Sequence, residues 1–200
     1  MSFHPAIPYG TPAWHKSERK LAEPGPPFEF TPENRRHVED HASHYPAERR
    51  KSAVIGALYV AQAQQGYISG NAMRHVAEVI GCSTAEVEDV VSYYVMFFTQ
   101  PVGKYVLQVC RTLSCALRGA GRVTEEIQRE LGIHVGETDP TGTFTLMEME
   151  CLGACDRAPV VMVNNEHWHE CLQPGQVAEF LRALRERGVE SLGGCHHVRE

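Results

Sequence analysis

The stretch YVLQVCRTLSC, residues 105–115, and the stretch ECLGAC, residues 150–155, decide the fold of this chain. Each carries a pair of cysteines: Cys110 and Cys115 in the first, Cys151 and Cys155 in the second. Two such pairs can converge on one metal centre only if the fold carries them to the same edge. Four thiolates in two pairs suit a [2Fe–2S] cluster, because each of its irons needs two of them. Structural zinc also accepts four cysteines, so the spacing alone leaves both metals open.

The composition is that of an ordinary globular protein and excludes two classes of partner. Hydrophobic residues make up 42% of the 200 residues and charged residues 22%, with a net charge of −6. No basic patch of the kind that neutralises phosphates is visible, so nucleic acid is not expected as a partner. The apolar stretches are far shorter than the roughly 20 residues that a membrane helix needs, so we expect no direct membrane insertion.

The seven cysteines point to metal or redox chemistry. The N-terminal residues Met1–Pro5 lack the features of a secretory signal or an organelle transit peptide, which makes a cytoplasmic protein the simplest expectation. Thiols stay reduced in that compartment, so structural disulfides are not expected there.

The first half of the chain predicts an arm followed by a helical bundle. Residues 1–30 hold six of the twelve prolines and predict an extended arm that is disordered or lies along a partner. Residues 31–100 are predicted to form a helical domain, since short periodic segments there begin with capping residues. The first predicted helix starts at Thr31-Pro32-Glu33 and ends near His44, and the second starts near Pro46 with Val54, Ala57, Leu58 and Ala61 on one face. The third runs from Ser69 to Ile80 with Gly81 as its left-handed stop, and the fourth starts at the capping box Ser83–Glu86.

Residues 101–190 predict a thioredoxin-like α/β layer, with strands sandwiched by helices, and residues 191–200 a tail. The order is β-α-β-β-α: a strand over 105–110, a helix over 118–131, a strand over 144–149, a strand over 160–163 turned at Asn164-Asn165, a possible hairpin partner over 166–171, and a helix over 174–187. Both cysteine pairs therefore begin where a strand ends. We expect the loop from Cys110 to Cys115 to run into the N-terminal end of the 118–131 helix, whose free N–H groups would stabilise an anionic cluster. Backbone groups of the loops 111–114 and 152–154 are the expected hydrogen-bond donors to the thiolates.

Further blocks make the chain resemble a known family. Around the cysteine pairs these are Pro101–Tyr105, Leu117–Gly119, Gly136–Thr138 and Ala158-Pro159, and upstream they are Tyr45–Arg49 and Tyr94–Phe97. Residues 31 to about 188 resemble the thioredoxin-like [2Fe–2S] subunit of respiratory complex I, the E subunit of bacterial NADH:quinone oxidoreductase. The resemblance implies an α+β protein with an N-terminal helical bundle before a thioredoxin-like α/β ferredoxin domain.

The resemblance also implies the cofactor, the site and the partners. It assigns a [2Fe–2S] cluster to Cys110, Cys115, Cys151 and Cys155, and no catalytic site to the chain itself. The cluster would exchange electrons with FMN on the partner flavoprotein subunit that binds NADH. Other peripheral-arm subunits of the translocase would hold the chain at the inner side of the bacterial plasma membrane. A diaphorase subunit of an NAD-linked hydrogenase or formate dehydrogenase, and a zinc-stabilised interaction module, are the alternatives.

Two residues beside the first cysteine pair depart from the usual family pattern. Arg111 stands where the family commonly has threonine, and Ala116 where it has methionine. The cluster potential and docking charges are therefore not expected to copy those of relatives.

The remaining cysteines are interpreted without a cofactor. Cys82 is predicted to be a small packed residue at a helix junction. Cys171 and Cys195 lie near His167, His169 and His196, which makes a second metal site possible. Surface histidines and unpaired thiols are the simpler interpretation.

Overall fold

The computed structural model describes residues 22–193 of the chain. These residues fall into two compact units that divide between Pro101 and Val102. The N-terminal unit is helical, and the C-terminal unit contains a four-stranded sheet. The protein is thus of the predicted α+β class.

The helical unit contains four α-helices and one 3₁₀ segment. They are α1 (Pro32–Ser43), the 3₁₀ segment (Ala47–Ala53), α2 (Val54–Gln65), α3 (Gly70–Ile80) and α4 (Thr84–Tyr93). The predicted caps are confirmed: Thr31 accepts a hydrogen bond from the Asn34 N–H, and Ser83 and Glu86 form a reciprocal capping box. Gly81 ends α3 in the left-handed conformation, as predicted.

The helix predicted to begin near Pro46 begins differently. Residues after Pro46 form the 3₁₀ segment, and the regular helix starts at Val54. Pro46 offers no side-chain cap to the first turn, so the tighter turn precedes the α-helix. The predicted inward face is confirmed, because Ala57, Leu58 and Ala61 are buried.

Residues 22–30, which the sequence places in the extended arm, pack on the helical unit. Phe28 and Phe30 belong to its hydrophobic core, and both rings lie edge-on to His75. The Phe30 N–H also donates to the His75 Nε2 at 3.2 Å. The rest of the predicted arm, residues 1–21, lies outside the described residues.

The C-terminal unit contains β1 (Tyr105–Cys110), α5 (Leu113–Leu117), α6 (Ala120–Leu131), β2 (Phe144–Met149), β3 (Val161–Val163), β4 (His167–His169) and α7 (Val177–Arg187). The strand order across the sheet is β2-β1-β3-β4, with β1 and β2 parallel and the other two pairs antiparallel. The predicted turn between β3 and β4 is confirmed, since Asn164 and Asn165 both have positive φ.

Both long helices of this unit lie on one face of the sheet, where the sequence predicted helices on both. Val123 of α6 and Leu181 of α7 share a core cluster with Leu107 and Val109 of β1. Gln108 alternates with these strand residues and points to the opposite face. Its buried amide instead pairs with Asn165, to which its Nε2 donates at 2.6 Å and from whose N–H its Oε1 accepts.

Candidate metal centre

The fold brings the starts of both cysteine pairs to one edge of the sheet. Cys110 is the last residue of β1, and its register partner on the parallel neighbour β2 is Met149. Cys151 follows Met149 by two residues. The Arg111 N–H donates to the Met149 carbonyl at 3.0 Å, which continues the pairing one residue past the strand end. The prediction that each pair begins where a strand ends is therefore confirmed.

The second cysteine of the first pair lies on a short helix that the sequence did not predict. Cys115 is buried within α5, and the chain then turns at Gly119, whose φ of +97° begins α6. A left-handed residue interrupts helical geometry, so α5 and α6 are separate helices, and α6 is the helix predicted over 118–131. The prediction that the loop from Cys110 to Cys115 leads directly into the long helix is therefore wrong, because α5 lies between them.

The second pair lies at the surface in a loop. Cys151 and Cys155 are both exposed, and their Sγ atoms are 3.9 Å apart. Gly153 between them has a φ of +79°, and its N–H donates to the Cys151 Sγ at 3.4 Å. A positive φ is the conformation that glycine adopts without a steric penalty, which explains why glycine suits the position.

The two pairs are close enough to interact. The pKa of Cys115 is influenced by Cys110 and by Cys155 of the other pair. The Ser114 side chain, from the first pair's segment, lowers the pKa of Cys155. The two pairs are therefore neighbours at this edge of the sheet.

Within residues 22–193, two of the four sulfurs have a hydrogen-bond partner in the surrounding chain. The Thr112 hydroxyl oxygen lies 3.3 Å from the Cys110 Sγ, and the Gly153 N–H donates to the Cys151 Sγ. The backbone at Leu152 acts on the pKa of Cys110, the backbone at Val160 on that of Cys115, and the Ser114 side chain on that of Cys155. Val160 also accepts from the Cys110 N–H at 3.1 Å, so it acts on both members of the first pair. The loops at 111–114 and 152–154 were predicted as donors, whereas Val160 was missed because it comes from a distant strand start.

The surroundings shift the thiol pKa values in different directions. Burial raises the pKa of Cys110, but the hydrogen bonds from Thr112 and Leu152 outweigh burial and leave this pKa below its usual value. Burial, followed by the interaction with Cys110, raises the pKa of Cys115 to about 11. The neighbouring Cys151 raises the pKa of Cys155. Like-charge repulsion within the pairs thus opposes ionisation of all the thiols together, and a bound cation would relieve it.

An ion pair joins the chain on either side of the site. The Arg111 guanidinium contacts the Glu150 carboxylate at 2.6 Å and lies 4.0 Å from Glu148. Arg111 follows Cys110 directly and Glu150 precedes Cys151 directly. The residue that departs from the usual family pattern therefore connects the two cysteine loops.

The other sulfur and imidazole groups belong elsewhere. Cys82 is half-buried against the helical core, where burial raises its pKa, in agreement with the predicted packing role. Cys171 is disulfide-bonded, so the prediction of an unpaired thiol there is wrong. His169 is not a free surface side chain, because its ring packs on Phe180 and its Nδ1 accepts from the Gly193 N–H. Cys195 and His196 lie outside the described residues.

The exposed pair has the spacing that two thiolates take on one tetrahedral metal. A tetrahedral metal with sulfur bonds of about 2.3 Å separates two of its thiolates by about 3.8 Å, and the Cys151–Cys155 spacing is 3.9 Å. Within residues 22–193, no three His, Cys, Asp or Glu side chains form a group that could hold a single metal ion. A two-iron cluster asks for two thiolates at each iron, which is how the cysteines are grouped.

A thioredoxin-like sheet whose edge gathers four cysteines defines the class of an iron–sulfur ferredoxin. The family model for thioredoxin-like [2Fe–2S] ferredoxins matches residues 38–185, and the chain belongs to this family. Its cofactor is accordingly a [2Fe–2S] cluster.

Curated relatives come from NADH-quinone oxidoreductases. The chain is 38% identical over 168 residues to NADH-quinone oxidoreductase subunit 2 of Thermus thermophilus, and the match covers 82% of this chain and 93% of that protein. It is 34% identical over 158 residues to an NADH-quinone oxidoreductase subunit of Escherichia coli, with 79% and 93% covered. The homologues are thus subunits of an electron-transferring oxidoreductase complex.

A solved structure shares the fold. An NAD⁺-reducing [NiFe]-hydrogenase chain superposes with a TM-score of 0.58 at 13% identity, over 69% of this chain. The match spans 25% of the hydrogenase chain. At this identity the likeness establishes the fold and nothing about activity.

No helix among residues 22–193 is both long enough and apolar enough to cross a membrane.

Proposed function

We propose that this chain is the electron-transfer subunit of an NADH:quinone oxidoreductase of the complex I type. The observation that carries the proposal is the meeting of two cysteine pairs at one sheet edge, in a chain whose relatives are subunits of that enzyme. The chain would act as one electron carrier within the larger translocase.

Cys110, Cys115, Cys151 and Cys155 are the proposed ligands. The spacing of the exposed pair matches two thiolates on one tetrahedral iron, and the two buried thiols are close enough to shift each other's pKa. We assign one pair to each iron. The N–H groups of Thr112, Leu152, Gly153 and Val160 would stabilise the thiolates once they are ionised.

The bound [2Fe–2S] cluster supplies one-electron chemistry. The residues of the chain hold the thiolates, donate hydrogen bonds to them and shield one side of the site from water. Cys110 and Cys115 are buried, while Cys151 and Cys155 reach the surface. A partner can therefore approach the site from the side of the second pair. This role needs no general acid, base or nucleophile, and we assign the chain no catalytic site of its own.

The proposed electron donor is FMN on a partner flavoprotein subunit that binds NADH. Other peripheral subunits of the complex would hold the chain at the inner side of a bacterial plasma membrane. Membership of the family and the likeness to subunits of NADH-quinone oxidoreductases support this assignment.

The relatives favour this function over the two alternatives. Five of them, at 34–43% identity, are NADH dehydrogenase or NADH-quinone oxidoreductase subunits, whereas the hydrogenase likeness rests on fold. Membership of the [2Fe–2S] family disfavours a zinc-stabilised interaction module.

Absorption and EPR spectroscopy of the purified chain, before and after dithionite, tests the cofactor and its ligands. We expect a red-brown protein with about two irons per chain that gains an S = 1/2 signal on reduction. Cys151→Ser should lower the iron content, and Cys82→Ser is the matched control because Cys82 lies in the helical unit. A wild-type protein that holds one zinc after full metal loading would overturn the proposal.

A second experiment tests the electron donor. The loaded chain is mixed anaerobically with the flavoprotein subunit purified from the same host, and NADH is added. We expect the S = 1/2 signal of the reduced cluster to appear with NADH alone. A signal that appears with dithionite but never with NADH and flavoprotein would contradict the proposed exchange with FMN.

A further inference from the structure

The Thr112 side chain occupies an N-cap position but does not cap its helix. Thr112 precedes α5, and threonine there ordinarily accepts a hydrogen bond from the first turn. No such side-chain bond forms in α5. The Thr112 hydroxyl oxygen instead lies 3.3 Å from the Cys110 Sγ.

The direction of this hydrogen bond follows from the proposed ligation. Either atom could donate while Cys110 is a thiol. A thiolate bound to iron carries no proton, so the hydroxyl is then the donor and the sulfur the acceptor. The proton stays on the Thr112 oxygen throughout, and no covalent bond forms or breaks.

A donor at this sulfur acts differently on the two redox states. The reduced cluster carries one more negative charge than the oxidised cluster, and a hydrogen bond donated to a more negative sulfur is stronger. The bond therefore stabilises the reduced state more, which raises the reduction potential.

The burial of each sulfur decides how much the hydroxyl beside it contributes to the reduction potential. Cys110 is 3% exposed, so water cannot replace a donor that is lost there. The Ser114 side chain acts on the exposed Cys155, where water can take its place. The two hydroxyls lie two residues apart, at the N-cap and in the first turn of α5, yet act on sulfurs with opposite access to solvent.

We propose that the Thr112 hydroxyl is a positioning donor that raises the reduction potential of the cluster through Cys110, and that Ser114 contributes little. This inference rests on the proposed function, because it takes Cys110 as a ligand. The inference assigns part of the control of the reduction potential to a side chain. A substitution can remove that side chain, whereas it leaves the backbone N–H groups in place.

EPR-monitored redox titration of the loaded, full-length chain tests the inference. In Thr112→Val the equilibrium constant for reduction should fall about tenfold, which for one electron is a midpoint lower by about 59 mV. Thr112→Ser keeps the hydroxyl and should have the same midpoint potential as the wild type. Ser114→Ala should change the equilibrium constant less than about twofold, since water replaces its donor.

Three results would overturn the inference. They are an unchanged midpoint in Thr112→Val, equal shifts in Thr112→Val and Thr112→Ser, and a larger shift in Ser114→Ala than in Thr112→Val. If Thr112→Val fails to load, the same redox titration of Thr112→Ala decides. A midpoint lowered as expected for Thr112→Val supports the donor, and a midpoint equal to that of the wild type overturns it.

Failure of this inference is distinguishable from failure of the proposed function. If the wild-type cluster is reducible and Thr112→Val has the same midpoint, only the role of Thr112 is disproved. A wild-type chain that holds no reducible cluster removes the electron-transfer function itself.

Discussion

The two cysteine pairs differ in how the fold holds them. Cys110 and Cys115 are buried at a strand end and within a helix, so the core of the unit positions them. Cys151 and Cys155 are exposed in a loop, where local turn geometry and the Gly153 N–H position them. The comparison teaches that core packing fixes the first pair, whereas the position of the second pair depends on a short loop that a bound cluster would help to order.

Serine substitutions test this comparison most strongly. Cys110→Ser and Cys151→Ser should both lower cluster content severely. In the metal-free protein, Cys110→Ser places a hydroxyl in a buried site and should cost about 1–3 kcal/mol in the free energy of unfolding. Cys151→Ser should stay within about 0.5 kcal/mol, because its side chain is at the surface.

Iron analysis of the loaded proteins and urea denaturation of the metal-free proteins measure these effects. The helical circular dichroism signal should persist in Cys151→Ser, since the helical unit has its own core. Equal losses of stability in the two serine variants would remove the distinction between the pairs.

A backbone substitution isolates the loop that holds the exposed pair. In Gly153→Ala the new Cβ meets no atom within 4 Å, so the effect comes from the φ of +79° alone. A left-handed conformation costs an alanine about 1–2 kcal/mol. We expect weaker cluster retention against a chelator, measured by the loss of visible absorption.

Gly136→Ala is the matched control for the loop substitution. Gly136 has a φ of +91° and equally open surroundings in the same unit, and its strain lies outside the cysteine loops. It should lower stability by a similar amount without speeding cluster loss. If both alanine variants lose the cluster equally fast, the loop has no special part in holding it.

The ion pair that links the loops should have the smallest effect. Arg111 and Glu150 have half-exposed and largely exposed side chains, so Arg111→Gln should cost at most about 1 kcal/mol. High salt should abolish the difference from wild type in urea denaturation. Arg35→Gln removes a comparable pair on α1 at 2.9 Å and serves as the control. A loss well above that of the control, persisting in about 1 M salt, would make this contact a structural clamp.

Local chemistry explains which parts of the fold were predictable. The caps at Thr31 and Ser83 and the stop at Gly81 use neighbouring atoms, and all three were predicted. The helix predicted over 118–131 is present as α6, whereas the short helix α5 before it was missed because its five residues carry no helical periodicity of their own. The side of the sheet that Gln108 faces was also missed, since its partner Asn165 is 57 residues away.

For the site, the sequence by itself determined the cysteines, their pairing along the chain and their placement after strands. Spacing and turn residues encode these features, and none of them depends on how distant segments of the chain pack together. The tertiary structure decided which pair is buried, that the Cys110 N–H donates to the Val160 carbonyl, and that the Thr112 hydroxyl contacts the Cys110 sulfur and leaves its own helix uncapped. Those features depend on strands and loops that meet only after folding, and burial, which sets the strength of each hydrogen bond, is a property of the packed molecule.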